Sequence, residues 1–226
     1  MLVKNAVRFV VLILSVALIS STAHAQVISI NFTAGPNSLG PTDEPGILPA
    51  PNWNNLGIGE NVPLQDDRGT LTTALYTFVS GAGVYDLFDT PMTANPATNV
   101  LYSGGLFGSN VGGGEITISI TNIPYAFYDV IVYASPDTTA TNLLGITGGT
   151  DADGTTTFYY NSDGQTSDHA TALLMTTSTD PTNPTTGSAQ YQVFSNLTDS
   201  TFTLTTSGSI TNVLSNNVFG LQIVGL

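Results

Sequence analysis

Glu115-Ile116-Thr117-Ile118-Ser119-Ile120-Thr121 decides the fold, because its isoleucines and polar residues alternate without a break. Alternation at a period of two places successive side chains on opposite faces of an extended strand, one toward a core and one toward water. The rhythm resumes beyond Pro124 in Phe127-Tyr128-Asp129-Val130-Ile131-Val132-Tyr133, with Tyr128, Val130 and Val132 opposite the rest. Working outward, it recurs from Val27 to Phe32, Gly69 to Ser80, Thr155 to Tyr160, Ala189 to Leu197, Thr201 to Thr206 and Val218 to Val224. In the Gly69 to Ser80 run it sets Leu71, Leu75 and Val79 against Thr72, Ala74, Tyr76 and Phe78. The intervening segments, among them Thr33 to Gly46, Thr147 to Gly154 and Asp180 to Gly187, are rich in turn formers. Glycine supplies positive φ, proline fixes φ, and Asn or Asp side chains bond their own backbone. Many short strands separated by such turns predict an all-β, antiparallel β-sandwich. A helical turn is expected only at Ala170 to Met175, and Thr176 to Ser188 reads as a mobile surface loop. Prolines 124, 136, 181 and 184 are expected just outside strands, where they block ladder extension.

Residues 1–25 stand apart from this pattern. Lys4 and Arg8 precede an apolar run from Phe9 to Ser20, and Ala23-His24-Ala25 has small residues at its first and last positions. This is the layout of a cleaved secretory signal, with the cut expected after Ala25. The run is shorter than the ~20 residues of a comfortable membrane span. Residues 26–226 are therefore expected to form a single exported domain, secreted or periplasmic, with no membrane association once the signal is gone.

Charge narrows the partners. The 226 residues carry a net charge of −13, with 41% hydrophobic and only 8% charged residues. Without the signal, Arg68 is the one base left against all 16 acidic residues, a net charge of −15. A nucleic-acid ligand is excluded, since phosphate binding needs many basic side chains to release counterions. Anionic membranes and polymers are repelled for the same reason. Calcium, or hydration alone, is left to balance the carboxylates. With no cysteine there is no disulfide, so burial and strand ladders hold the fold. A chain of this length buries roughly 70% of its unfolded surface and needs no staple.

Several segments in order carry a family resemblance. They are the opening strand Ile28-Ser29-Ile30-Asn31-Phe32, then Pro51-Asn52-Trp53-Asn54-Asn55-Leu56, then Leu64-Gln65-Asp66-Asp67-Arg68-Gly69. The central pair around Pro124 follows, and the chain closes on Phe219-Gly220-Leu221-Gln222-Ile223-Val224. In this order the chain resembles secreted, galactose-binding-like jelly-roll domains of environmental Gram-negative bacteria, over nearly the whole of residues 26–226. The resemblance implies a jelly-roll sandwich of the carbohydrate-binding-module kind.

Two sets of residues are candidates for a site. Trp53, flanked by Asn52, Asn54 and Asn55, has the composition of a sugar platform, an aromatic face for C–H groups beside amides for hydroxyls. Its competing reading is a tryptophan plugging one end of the sandwich among turn-forming asparagines. Tyr85 and Tyr102 are the further candidate glycan contacts, against a reading as core or rim. Asp151, Asp153, Asp163 and Asp168 are the candidate Ca2+ ligands, spaced carboxylates beside Gly154 and Gly164. Asp66 and Asp67 are a second acidic pair that either holds a metal or pairs with Arg68. Catalytic residues are expected to be absent, for there is no cysteine nucleophile, no lysine beyond the signal, no GxSxG elbow and no zinc-binding histidine pair. The expected function is non-catalytic glycan binding. The alternative is a structural or adhesive surface protein whose Thr-, Ser- and Asn-rich sandwich self-associates, and a hydrolase trails both.

Overall fold

The computed structural model describes residues 25–81, 83–86, 96–108, 115–135, 143–161, 173–187, 190–208 and 217–226. One sheet, here the inner sheet, is ordered β11 (Leu174–Met175), β13 (Gln190–Leu197), β8 (Tyr128–Ser135), β15 (Asn217–Gly225), β1 (Val27–Phe32) and β2 (Asn54–Leu56). To β15 it also adds β6 (Gly104–Phe107), which pairs with β5 (Gly83–Asp86). The outer sheet is ordered β12 (Thr185–Thr186), β10 (Gly154–Asn161), β9 (Leu143–Thr150), β14 (Phe202–Gly208), β7 (Thr117–Thr121), β4 (Leu71–Ser80) and β3 (Val62–Gln65). Consecutive strands swap sheets from β6 to β9 and again from β13 to β15. Between the sheets lies one shared core, with Ile28, Ile30, Val130 and Val132 from one side and Tyr76, Ile118, Ile120 and Leu204 from the other. The chain is a β-sandwich, as its alternation predicts. Among the described residues no helix is long and apolar enough to cross a membrane.

The structure departs from the simple pattern in instructive places. Antiparallel pairing is not universal, because the short strands β2, β11 and β12 add in parallel to β1, β13 and β10. Along β4 the alternation holds, but Ala74 and Tyr76 take the core while Leu71 and Val79 are 71% and 58% exposed. Tyr76 wins because its ring packs on Phe32 at 5.7 Å and its hydroxyl donates to the Gly57 carbonyl at 3.0 Å, so a larger apolar body is buried with its polar tip satisfied. Pro63 lies within β3, tolerated there because β3 is the edge of its sheet. Leu174 and Met175, the end of the expected helical turn, form β11 instead, paired with Gln190 and Tyr191. The expected mobile loop after it is tied down: β12 pairs with β10, and Tyr159 N donates to the Ser178 carbonyl at 2.8 Å.

The largest departure is that β1 is buried on both faces. The outward face of the inner sheet is covered by residues 33–53 and by α1 (Pro96–Leu101), building a second core from Leu39, Trp53, Leu101, Tyr102, Ile131, Tyr133 and Phe219. The Tyr133 and Gln222 side chains trapped there are satisfied in a chain. Ile47 N donates to the Tyr133 hydroxyl at 3.1 Å, which donates to Gln222 Oε1 at 2.5 Å. Gln222 Nε2 in turn donates to Leu48 O at 2.9 Å and Ser29 Oγ at 3.2 Å. Buried polar groups cost little only when paired in this way.

Candidate functional site

The tryptophan and its asparagines are structural. Trp53 is 3% exposed, its Nε1 donates to Ala50 O at 2.7 Å, and its ring lies 6.2 Å from that of Tyr133. Tyr102 is equally buried, stacked on Phe219 at 4.7 Å with its hydroxyl donating to Gln190 O at 2.8 Å. Asn54 ties one sheet to the other: Nδ2 donates to Ser29 O and Gln65 O, both at 2.9 Å, and Oδ1 accepts from Gln65 N at 3.0 Å. Asn55 braces Leu39 N and O at 2.8 and 2.9 Å. Asn52 turns the chain at a φ of 57° and donates to Asp67 O at 2.8 Å. The sugar platform expected at residues 52–55 and Tyr102 is therefore corrected to core and turn framework, because Trp53, Asn54 and Tyr102 are buried while the side chains of half-buried Asn52 and exposed Asn55 are spent on backbone atoms. Tyr85 lies on β5, and its side chain is outside the described residues.

The acidic candidates divide similarly. Asp163 and Asp168 lie outside the described residues. Asp151 is exposed on the turn between β9 and β10, two residues before Asp153. Asp153 accepts from Thr198 N at 2.8 Å, Thr198 Oγ1 at 2.7 Å and Thr150 Oγ1 at 2.8 Å. It thereby clips the β9–β10 turn to the β13–β14 turn. Among the described residues no group of three or more His, Cys, Asp or Glu is gathered to hold a metal. Asp66 accepts from Arg68 N at 3.0 Å and Thr70 N at 2.8 Å. Burial works against its charge, yet these bonds hold its pKa below the ordinary carboxylate value. It shapes a turn.

The bonds from Thr198, backbone first and hydroxyl second, lower the Asp153 pKa to about 2. A carboxylate with a depressed folded pKa stabilises the fold above the ordinary value of 3.8, and that stability is lost as pH falls toward 2. Asp153→Asn is expected to melt at a lower temperature than wild type at neutral pH, with the gap closing between about pH 4 and pH 2. Paired melting curves across that range check it, and a gap that stays constant with pH refutes it.

A different site opens where the sheets part, between β9 and β10 on one side and β13 on the other. It is a cavity of about 310 Å³ lined by Gly148, Gly149, Thr156, Phe158 and the run Val193 to Leu197, with Asp153 at its rim. Its floor is aromatic. The Phe158 and Phe194 rings meet edge to face at 5.2 Å, and Phe194 leans on Phe202 at 5.6 Å. Gly148 makes this floor fit, since a Cβ there would come within 2.6 Å of the Phe194 ring. The wall is polar because β13 bulges between Phe194 and Leu197, turning through Asn196 at a φ of 60°. Asn196 N donates to Asp129 Oδ1 at 2.8 Å, which holds the bulge. Ser195, Asn196 and Thr156 are exposed, and the Asn196 amide and the Ser195 and Thr156 hydroxyls make no hydrogen bond among the described residues. The sequence reading missed these residues. Its available signals were Gly148-Gly149 within a strand and Ser195-Asn196 interrupting an apolar alternation.

No protein-family model matches the chain, and no curated protein matches it. Comparison with solved structures finds a CBM35 from Cellvibrio japonicus, 15% identical, over 67% of this chain and 93% of that one at a TM-score of 0.35. A CBM61 in complex with β-1,4-galactotriose is 6% identical over 54% and 67% at 0.26. The exo-β-1,3-galactanase of Phanerochaete chrysosporium, with galactose, is 11% identical over 69% and 31% at 0.31. With TM-scores below 0.5, the fold assignment stands on this chain's own strand order and shared core.

Proposed function

We propose that the protein is an exported, non-catalytic carbohydrate-binding protein whose sugar site is the groove between β9, β10 and β13. The observation that carries this reading is the meeting of an aromatic floor with unbonded amide and hydroxyl groups in one opening. A sugar ring offers C–H groups that pack on an aromatic surface and hydroxyls that both donate and accept. The Asn196 amide, with one acceptor and two donors, answers adjacent hydroxyls, and Ser195 and Thr156 add adaptable partners. At about 310 Å³ the opening is at the small end of ligand pockets, suited to one or two sugar units. The signal-like composition of residues 1–25 supports a site outside the cytoplasm in this reading.

Asn196→Gly is the informative variant, because glycine keeps the positive φ and the backbone bond to Asp129 while removing the amide. Titration calorimetry with the best sugar from a glycan array is expected to show affinity weaker by roughly five- to ten-fold, the worth of a neutral hydrogen bond. Equal affinity in the variant, or no bound sugar on the array for wild type, rejects the groove as the site.

A further inference from the structure

None of the seven outer-sheet strands contains an acidic or basic residue within its bounds, with exposed Glu115 one pleat ahead of Thr117 just before β7, although the chain has 16 acids and a net charge of −13. The solvent face of that sheet carries mainly threonine and serine, with Leu71 and Val79 exposed on β4. Registered pairs carry one row across four strands, Thr117 on β7 beside Thr205 on β14, then Thr147 on β9, then Thr157 on β10. A second row one pleat along joins Thr77, Ser119 and Thr203. All seven are exposed or half-buried, and the Thr147 and Thr157 hydroxyls lie 2.7 Å apart. Gly145 lies in the same face but is buried beneath its neighbours, since a Cβ there would meet the Ser207, Thr157 and Tyr159 side chains.

We propose that this face is an adsorption surface for ordered, uncharged polysaccharide, separate from the groove and independent of it. Charge selects the partner. An ionic polymer finds no partner charge within these strands, and the acids elsewhere on the molecule, Glu115 beside β7 among them, repel an anionic one. Threonine selects it further, because each side chain presents a methyl and a hydroxyl together, as the face of a sugar ring presents C–H and O–H groups. The spacing is periodic in both directions. Rows step about 4.8 Å from strand to strand, comparable with one sugar ring of an extended chain, and alternate residues step about 6.8 Å along a strand. A periodic partner is matched many times over, and many weak contacts add by multivalency. A second copy fits less well, since each carries the same net charge and, among the described residues, large exposed apolar side chains on this face are confined to Leu71 and Val79 of β4.

The test is a depletion assay with the full chain on two insoluble neutral solids, microcrystalline cellulose and insoluble mannan, beside carboxylated cellulose. Wild type is expected to leave solution on at least one neutral solid, to persist there in high salt, and to bind the carboxylated solid less. Thr205→Glu and, at the more exposed neighbouring position, Thr203→Glu are expected to weaken adsorption about ten-fold or more, by setting an unpaired charge against a neutral surface. Thermal melting shows that each variant is folded, and Thr205→Ser, which keeps the hydroxyl, is expected to retain most binding. Thr205→Glu is expected to keep wild-type affinity for soluble sugar in the groove, which separates this surface from the groove. Wild type remaining in solution with both neutral solids overturns the proposal, as do folded Glu variants that adsorb unchanged. It is also overturned if sedimentation shows a wild-type dimer that Thr205→Glu dissociates, since a second copy then covers the face.

Discussion

Trp53→Ala is expected to destabilise the protein by about 3–5 kcal/mol, the cost of emptying a buried tryptophan site. The ring is enclosed by the covering segment and the outward face of the inner sheet, beside Tyr133 and within reach of Gly220. Its indole N–H is satisfied by Ala50 O, so truncation removes apolar contacts and leaves the Ala50 carbonyl without that donor. Collapse around the hole is opposed by the hydrogen-bonded strands beneath it, which keeps the cost toward the upper end. Urea unfolding followed by circular dichroism measures the loss, since the variant contains no tryptophan to follow by fluorescence. Trp53→Phe is expected to recover part of it. A change below about 1 kcal/mol would place the ring outside the core and restore it as a candidate sugar platform.

Gly220→Ala is expected to cost about 3 kcal/mol for a single added methyl group, at the upper end of overpacking penalties. Gly220 lies on β15 between Asn31 of β1 and Tyr133 of β8, so both of its flanks are fixed by ladders. A Cβ there runs into the Ile30 carbonyl oxygen and comes within 2.8 Å of Leu101. A flexible side chain could yield, but a carbonyl within a paired strand cannot move without breaking its register. The bulge between Val218 and Gly220 is how the strand admits this close approach. For a chain of this size the loss corresponds to a melting temperature lower by about 6–12 °C. A melting temperature within about 2 °C of wild type refutes the close contact.

These two residues also show where sequence reading succeeds and where it stops. Ile116, Ile118 and Ile120 announced their own strand and its buried face, because both are set by local periodicity. On β4 the two faces were legible but which of them is buried was not, since a tyrosine and an alanine against two leucines and a valine is decided by what lies opposite. Asn52, Asn54 and Asn55 looked alike along the chain. Only the fold reveals that one turns the backbone, one ties the sheets and one braces Leu39. The groove was invisible for a related reason: Gly148 and Phe194 are 46 positions apart, and their fit exists only once β9 and β13 face each other.

By itself the sequence determined that the chain is made of short alternating strands, carries a strong excess of acid and has no disulfide, because each depends only on which residues are present and on their local order. Tertiary structure alone decided that the inner sheet is covered on both faces, that Trp53 is sealed within, and that the charge-free threonine rows line up side by side. Those outcomes depend on which strands become neighbours, and pairing between distant segments is set by the packing of the whole chain.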